Sequence, residues 1–219
     1  MSKDIDKIME TASQQLADMD YAASETTCLN ALAAAKKAND WALYARIVLP
    51  LQECRRQRRV NAADHAVQVG LAKGAEVPDT GCVVFTAPQT PEDGGAWQTA
   101  RRADGHAVEA IFAQAAHRKT WRIISVIDPT LACPVTSPMK AFTLNKPLDG
   151  DERNLAAHWF IAANEALGNA ALERVDAAEG TSERIDQLEA ALLAVGDHEI
   201  LHQHLANAAR ALHEAQKTA

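Results

Sequence analysis

Aromatic side chains make up only 5% of the 219 residues, although 47% are hydrophobic, with alanine supplying much of the difference. That balance disfavours a β-sandwich, which draws on aromatic and β-branched residues. It favours close-packed helices, because alanine has the best helix propensity and leaves room for close approach. Cations are short as well: 22 Lys and Arg stand against 29 Asp and Glu, for a net charge of −7. The deficit argues against nonspecific binding to nucleic acid or an anionic membrane, both of which need clustered positive charge. No apolar run approaches the length of a membrane span. The opening MSKDIDKIME lacks the apolar core of a secretory signal. Cys28, Cys54, Cys82 and Cys133 form no CxxC pair, which removes zinc-ribbon and thioredoxin readings. These absences point to a cytoplasmic protein with reduced, buried thiols.

What is present centres on Asp20–Arg59, two helical segments back to back. The first carries Ala22, Ala23, Cys28, Leu29, Ala31, Leu32 and Ala35 at helical spacing. Asn39 and Asp40 can end it and cap the next, since short polar side chains bond free backbone amides. Trp41–Arg59 follows, with Pro50 predicting a kink or two short helices. Lys3–Asp18 suits an earlier helix, striped by Ile5, Ile8, Ala12 and Leu16.

Met19-Asp20-Tyr21-Ala22 resembles the turn and entry to the second helix of a tetratricopeptide repeat. Ser24, Cys28 and Ala31 fall where that family places small or medium packing residues. Trp41, Tyr44 and Ala45 resemble the start of the next repeat's first helix. The likeness covers about one and a half repeats and implies a helical-hairpin architecture whose faces bind peptides or proteins.

The middle of the chain changes character. Cys82-Val83-Val84-Phe85 reads as a buried strand, Pro88–Gly95 as a polar loop with Trp97 just past it in the same polar, Gly-rich stretch, and Gly105–Arg118 as an amphipathic helix aligned on Val108, Ile111, Phe112 and Ala115. Trp121–Ile127 is a second strand and Lys140–Asn145, around Phe142 and Leu144, a third. Asn61–Leu71 reads as a short helix and Lys73–Gly81 as a linker. Beyond Asp151 the helical pattern returns: Asn154–Ala178, a segment marked by Ile185, Leu188, Leu192 and Leu193, and a last one marked by Leu201, Leu205, Ala208 and Leu212. Asp197 is expected to cap that last helix. The fold class is therefore α+β and mostly helical, with helical hairpins at both ends around a small βαβ-like sheet of about three strands. Its segments are residues 1–75, 81–147 and 151–219.

Three motifs suggest chemistry. His198-Glu199-Ile200-Leu201-His202 fits HExxH, in which two histidines one turn apart bind zinc and the Glu activates water. The extended pattern wants Gly and His where this chain has Leu205 and Ala208. The alternative makes His198 and His202 surface residues beside the Leu201/Leu205 stripe. Arg55, Arg56, Arg58 and Arg59 could form an anion or nucleic-acid patch, or a solvated last turn at the negative end of a helix dipole. A nucleotide site after Phe85 is disfavoured, because Thr86-Ala87-Pro88-Gln89 offers no glycine and Glu92-Asp93 adds negative charge. Asp128 sits at a strand end but opens an Asp-Pro turn.

With no coherent catalytic set and no cofactor implied, the chain reads as a noncatalytic protein–protein interaction or scaffold module. Its partner would be a protein or peptide, and a homo-oligomer stays open. The alternatives are a metal-dependent hydrolase on residues 198–202 and anion or nucleic-acid binding through Arg55–Arg59.

Overall fold

A computed structural model describes residues 2–65, 67–70, 78–117, 119–136 and 150–218. In chain order its helices are α1 (Ser2–Ala17), α2 (Tyr21–Lys37), α3 (Trp41–His65), α4 (Pro91–Ala103), α5 (Gly150–Leu172), α6 (Ser182–Ala194) and α7 (Glu199–Thr218). The strands are β1 (Val67–Val69), β2 (Gly81–Phe85), β3 (Val108–His117), β4 (Thr120–Ser125) and β5 (Ala132–Thr136). The chain is thus α+β and mostly helical. Among the described residues no helix is long and apolar enough to cross a membrane. Two compact units divide it: a helical unit of Met1–Arg58 with Leu172–Ala219, and a sheet unit of Arg59–Ala171.

In the helical unit, short polar side chains set the helix ends. Asp20 Oδ1 accepts from the Ala23 amide at 3.1 Å and opens α2. Asn39, at φ +55, ends it in the left-handed region that asparagine tolerates. Asp40 Oδ1 then accepts from the Leu43 amide at 3.0 Å and opens α3. Thr181 does the same for α6. The cap of α7 falls one residue later than expected: the Leu201 amide donates to His198 Nδ1 at 3.2 Å. α1 packs on α2 and α6 on α7. Cys28, Ala31, Leu32, Ala35, Tyr44, Ile47, Leu51, Ile185, Leu188, Leu201 and Leu205 form the interior.

α3 is one helix through Pro50 rather than two short ones. The amide that proline lacks would have bonded Arg46, and Arg46 is exposed, where water can take over. The helix also runs past Arg59 to His65, so the expected separate helix from Asn61 is its continuation, and β1 follows.

Among the described residues the sheet unit holds five strands in the order β1-β2-β3-β4-β5, not about three. β1, β2 and β3 are parallel, and β3–β4 and β4–β5 are antiparallel. A β-α-β unit is present, but its parts differ from those expected. The crossover helix is α4, and Val108–His117 is its second strand, not a helix. Thr90 and Asp93 form a capping box with Pro91 in the first turn, so the supposed polar loop is a helix start. Trp97 therefore lies on α4, packed against Phe85 with ring centroids 5.8 Å apart. The core under α4 is Val83, Phe85, Ala110, Phe112, Ile124 and Val126. β5 carries Pro134 and lies at the edge of the sheet, where a missing amide is tolerated. The strand expected at Lys140–Asn145 and most of the expected 73–81 linker lie outside the described residues.

Candidate functional site

Four helices of the helical unit surround an apolar groove of about 300 Å³. α2 lends Leu29, Leu32, Ala33 and Lys36; α3 lends Tyr44, Leu51 and Arg55; α6 lends Glu189, Leu192 and Leu193; α7 lends Leu205. Leu32, Leu51, Leu192 and Leu205 are buried, whereas Leu29 is 43% and Leu193 70% exposed. Leucines left in water beside a concave apolar wall are the kind of feature that marks a binding face.

The polar groups of this groove are tied together. Tyr44 Oη donates to Glu189 Oε1 at 2.5 Å. Lys36 Nζ donates to Glu189 Oε2 and to Asp186 Oδ1, both at 2.6 Å. Burial, then the Glu189 hydrogen bond, push the Tyr44 phenol well above its ordinary value, so it stays a donor. Sequence reasoning singled out neither Lys36 nor Glu189, and it placed Tyr44 only at the start of a repeat-like helix. Leu29 and Leu193 were the available signal, since each doubles an apolar position next to a buried one, Cys28 and Leu192.

The four arginines sit inside α3 and not in its last turn, because the helix continues to His65. They do not form an open patch. Arg55 and Arg58 are buried, and both reach Glu25 on α2: Arg55 Nε donates to Oε1 at 2.8 Å and Arg58 Nη1 to Oε2. Arg56 is exposed and bidentate on Glu53, at 2.8 and 2.9 Å. Arg59 Nη1 donates to Glu165 at 3.0 Å.

His198 and His202 are buried, at 1% and 0% exposure, and not surface residues. One turn of helix brings them together, but each ring has a structural bond. His198 Nδ1 accepts the Leu201 amide. Arg55 Nη1, which can only donate, lies 3.4 Å from His202 Nε2. His202 Nε2 is therefore the acceptor, and Nδ1–H donates to the His198 carbonyl at 2.9 Å. Glu199 is exposed. Among the described residues no three His, Cys, Asp or Glu converge as metal ligands.

Burial, then the neighbouring Arg55 charge, lower the His202 pKa to about 4. The folded state thus refuses a proton that the unfolded chain accepts near pH 6.5. Stability is full above pH 6.5 and falls as the pH drops towards 4, by about 3 kcal/mol if the full difference is realised. Denaturant melts of the wild type and of His202→Asn across this range should show the shallower slope in the variant. Equal slopes would show that His202 takes up its proton in the folded protein.

The four cysteines are buried and form no disulfide. Cys54 Sγ donates to Ser24 Oγ at 2.9 Å, and Ser24 Oγ in turn donates to the Ala12 carbonyl at 2.8 Å. The hydrogen bond between Cys28 and Cys54 is the main cause that pushes the Cys28 thiol up and holds the Cys54 thiol below its ordinary value.

Comparison of the chain with protein-family models, curated proteins and solved structures found no match. The site is read from its own geometry alone.

In the sheet unit, the turn after β2 has no phosphate cradle. Thr90 Oγ1 accepts the Asp93 amide, and Asp93 Oδ2 accepts the Thr90 amide at 2.9 Å, so the α4 start is closed by its own side chains. Gly94 and Gly95 lie within the helix, against Val126. Asp128 Oδ1 accepts from the Thr130 amide and hydroxyl, at 3.0 and 2.6 Å, within its own turn.

Proposed function

We propose that the helical unit is a noncatalytic binding module that docks a partner protein over Leu29 and Leu193. The observation that carries this is the exposure of those two leucines at a concave apolar groove. The rim decides the partner's chemistry. Asp186 and Glu189 meet a single lysine, Lys36, so carboxylates outnumber cations there. A complementary surface is an amphipathic helix with a leucine-sized anchor flanked by lysine or arginine. The tetratricopeptide-like reading of residues 19–45 supports the same use of helical faces.

Selection from a displayed library of random helical peptides tests this directly. Enriched sequences should carry one large apolar residue with Lys or Arg on the adjoining turn. Their binding should vanish with Leu193→Asp, which sits at an exposed position and should leave the melting temperature unchanged. Failure to enrich any common pattern, or equal binding to the variant, would remove the proposal.

A further inference from the structure

The groove has an ionic group among its apolar lining. Arg55 lines it, yet the residue is only 6% exposed. Its Nε is spent on Glu25, and its Nη1 faces the neutral His202 Nε2. Its second terminal nitrogen, Nη2, has no hydrogen-bond partner among the described residues. Glu25 does not belong to Arg55 alone, because Arg58 donates to its other oxygen. The nearest carboxylate on the groove lining cannot turn inward either: both Glu189 oxygens are taken, by Tyr44 and by Lys36. Nη2 is not sealed from solvent, so an anion entering the groove that Arg55 lines meets a donor edge that no described residue occupies.

We infer that the groove binds a small aliphatic monocarboxylate, its carboxylate on Arg55 and its alkyl chain along Leu32, Leu51, Leu192 and Leu205 towards the mouth. Guanidinium suits this headgroup, since it presents a planar donor edge to a carboxylate. The leucines suit an alkyl chain, which gains from leaving water and asks for no hydrogen bond. A phosphate head would bring more charge than one free donor edge can answer, and an amine would meet a like charge. The site rests on Arg55, not on the exposed leucines that carry partner docking, so either idea can fail alone.

The test is a calorimetric titration of the full chain with octanoate, octanol and octylamine, which share one chain length. Octanoate should bind at least about tenfold more tightly than octanol, the difference a charge-assisted hydrogen bond supplies. Octylamine should bind weakest. Arg55→Met should erase the preference for octanoate over octanol. Because Arg55→Met disturbs a buried cluster, Ala33→Trp serves as the second variant. Ala33 is exposed and lines the groove, so the indole fills the cavity without entering the core, and octanoate binding should be lost. Octanol binding as tightly as octanoate, no octanoate binding at millimolar concentration, or unchanged binding in Ala33→Trp would each overturn the inference. Peptide selection on Leu193 would be unaffected by any of these outcomes.

Discussion

Glu25→Ala should cost the folded protein about 3–5 kcal/mol, the range found when one partner is taken from a buried ion pair. The reason is what remains behind. Arg55 and Arg58 are both buried, and both bond Glu25, which is itself only 14% exposed at the side chain. Removing the carboxylate takes the ionic partner from Arg55 and leaves the like charge of Arg58 nearby. An exposed pair such as Arg56–Glu53 loses less than about 1 kcal/mol in the same experiment, because solvent screens it. Denaturant unfolding of Glu25→Ala and Glu53→Ala therefore separates the two cases. A third variant sharpens the argument. Glu25→Leu combined with Arg55→Met and Arg58→Met removes the charges together, and apolar side chains of similar size fill the space. That variant should recover most of the loss, since a buried ionic cluster is often no more stable than a packed apolar one. A loss under about 1 kcal/mol for Glu25→Ala would mean that water reaches the Arg55 guanidinium.

The arginine run shows why part of the site could not be read from the chain. Four cations in five residues look alike in sequence, yet two are buried, one is exposed and one bonds a glutamate 106 residues away. Their partners Glu25 and Glu165 carry no local mark. The groove is less legible still, because Lys36 meets Glu189 across 153 residues. Helix ends were legible for the opposite reason. Asn39 ends α2 through its own backbone and Asp40 accepts an amide three residues away, so the signal and its effect share one window.

The sheet was legible where a strand is short and fully buried, as at Cys82–Phe85. It failed at Val108–His117. That strand is buried on both faces from Val108 to Ala113, so its apolar residues do not alternate, and a continuous apolar run fits a helix face as well. The error had a partner. Reading α4 as a loop left the crossover without a helix, and the next apolar segment took its place. The capping box Thr90–Asp93 with Pro91 was the local signal that would have prevented both.

The glycines behind that misreading carry the second large effect: Gly95→Ala should destabilise the sheet unit by about 2 kcal/mol or more. In an open helix the same change gains about 1 kcal/mol, because alanine is the better helix former. Here a Cβ on Gly95 would stand 2.4 Å from the Val126 carbonyl oxygen. Real Cβ atoms do not come so near, and the obstacle is backbone at the end of β4, which cannot rotate aside. α4 must lift from Val83, Phe85 and Val126, or the chain after β4 must move. Gly94→Ala meets a side chain instead, with Val126 Cγ1 at 2.8 Å and Phe85 beyond it, so some of its strain can be relieved by repacking. Gly105→Ala meets no atom within 4 Å, but its φ of +86 charges alanine for a left-handed backbone. The order of loss expected from thermal and denaturant melts is Gly95→Ala first, then Gly94→Ala. A Gly95→Ala protein as stable as the wild type would mean that α4 does not lie this close to the sheet. Gly-Gly reads as a loop in sequence because glycine is flexible; in this fold it serves because glycine is thin.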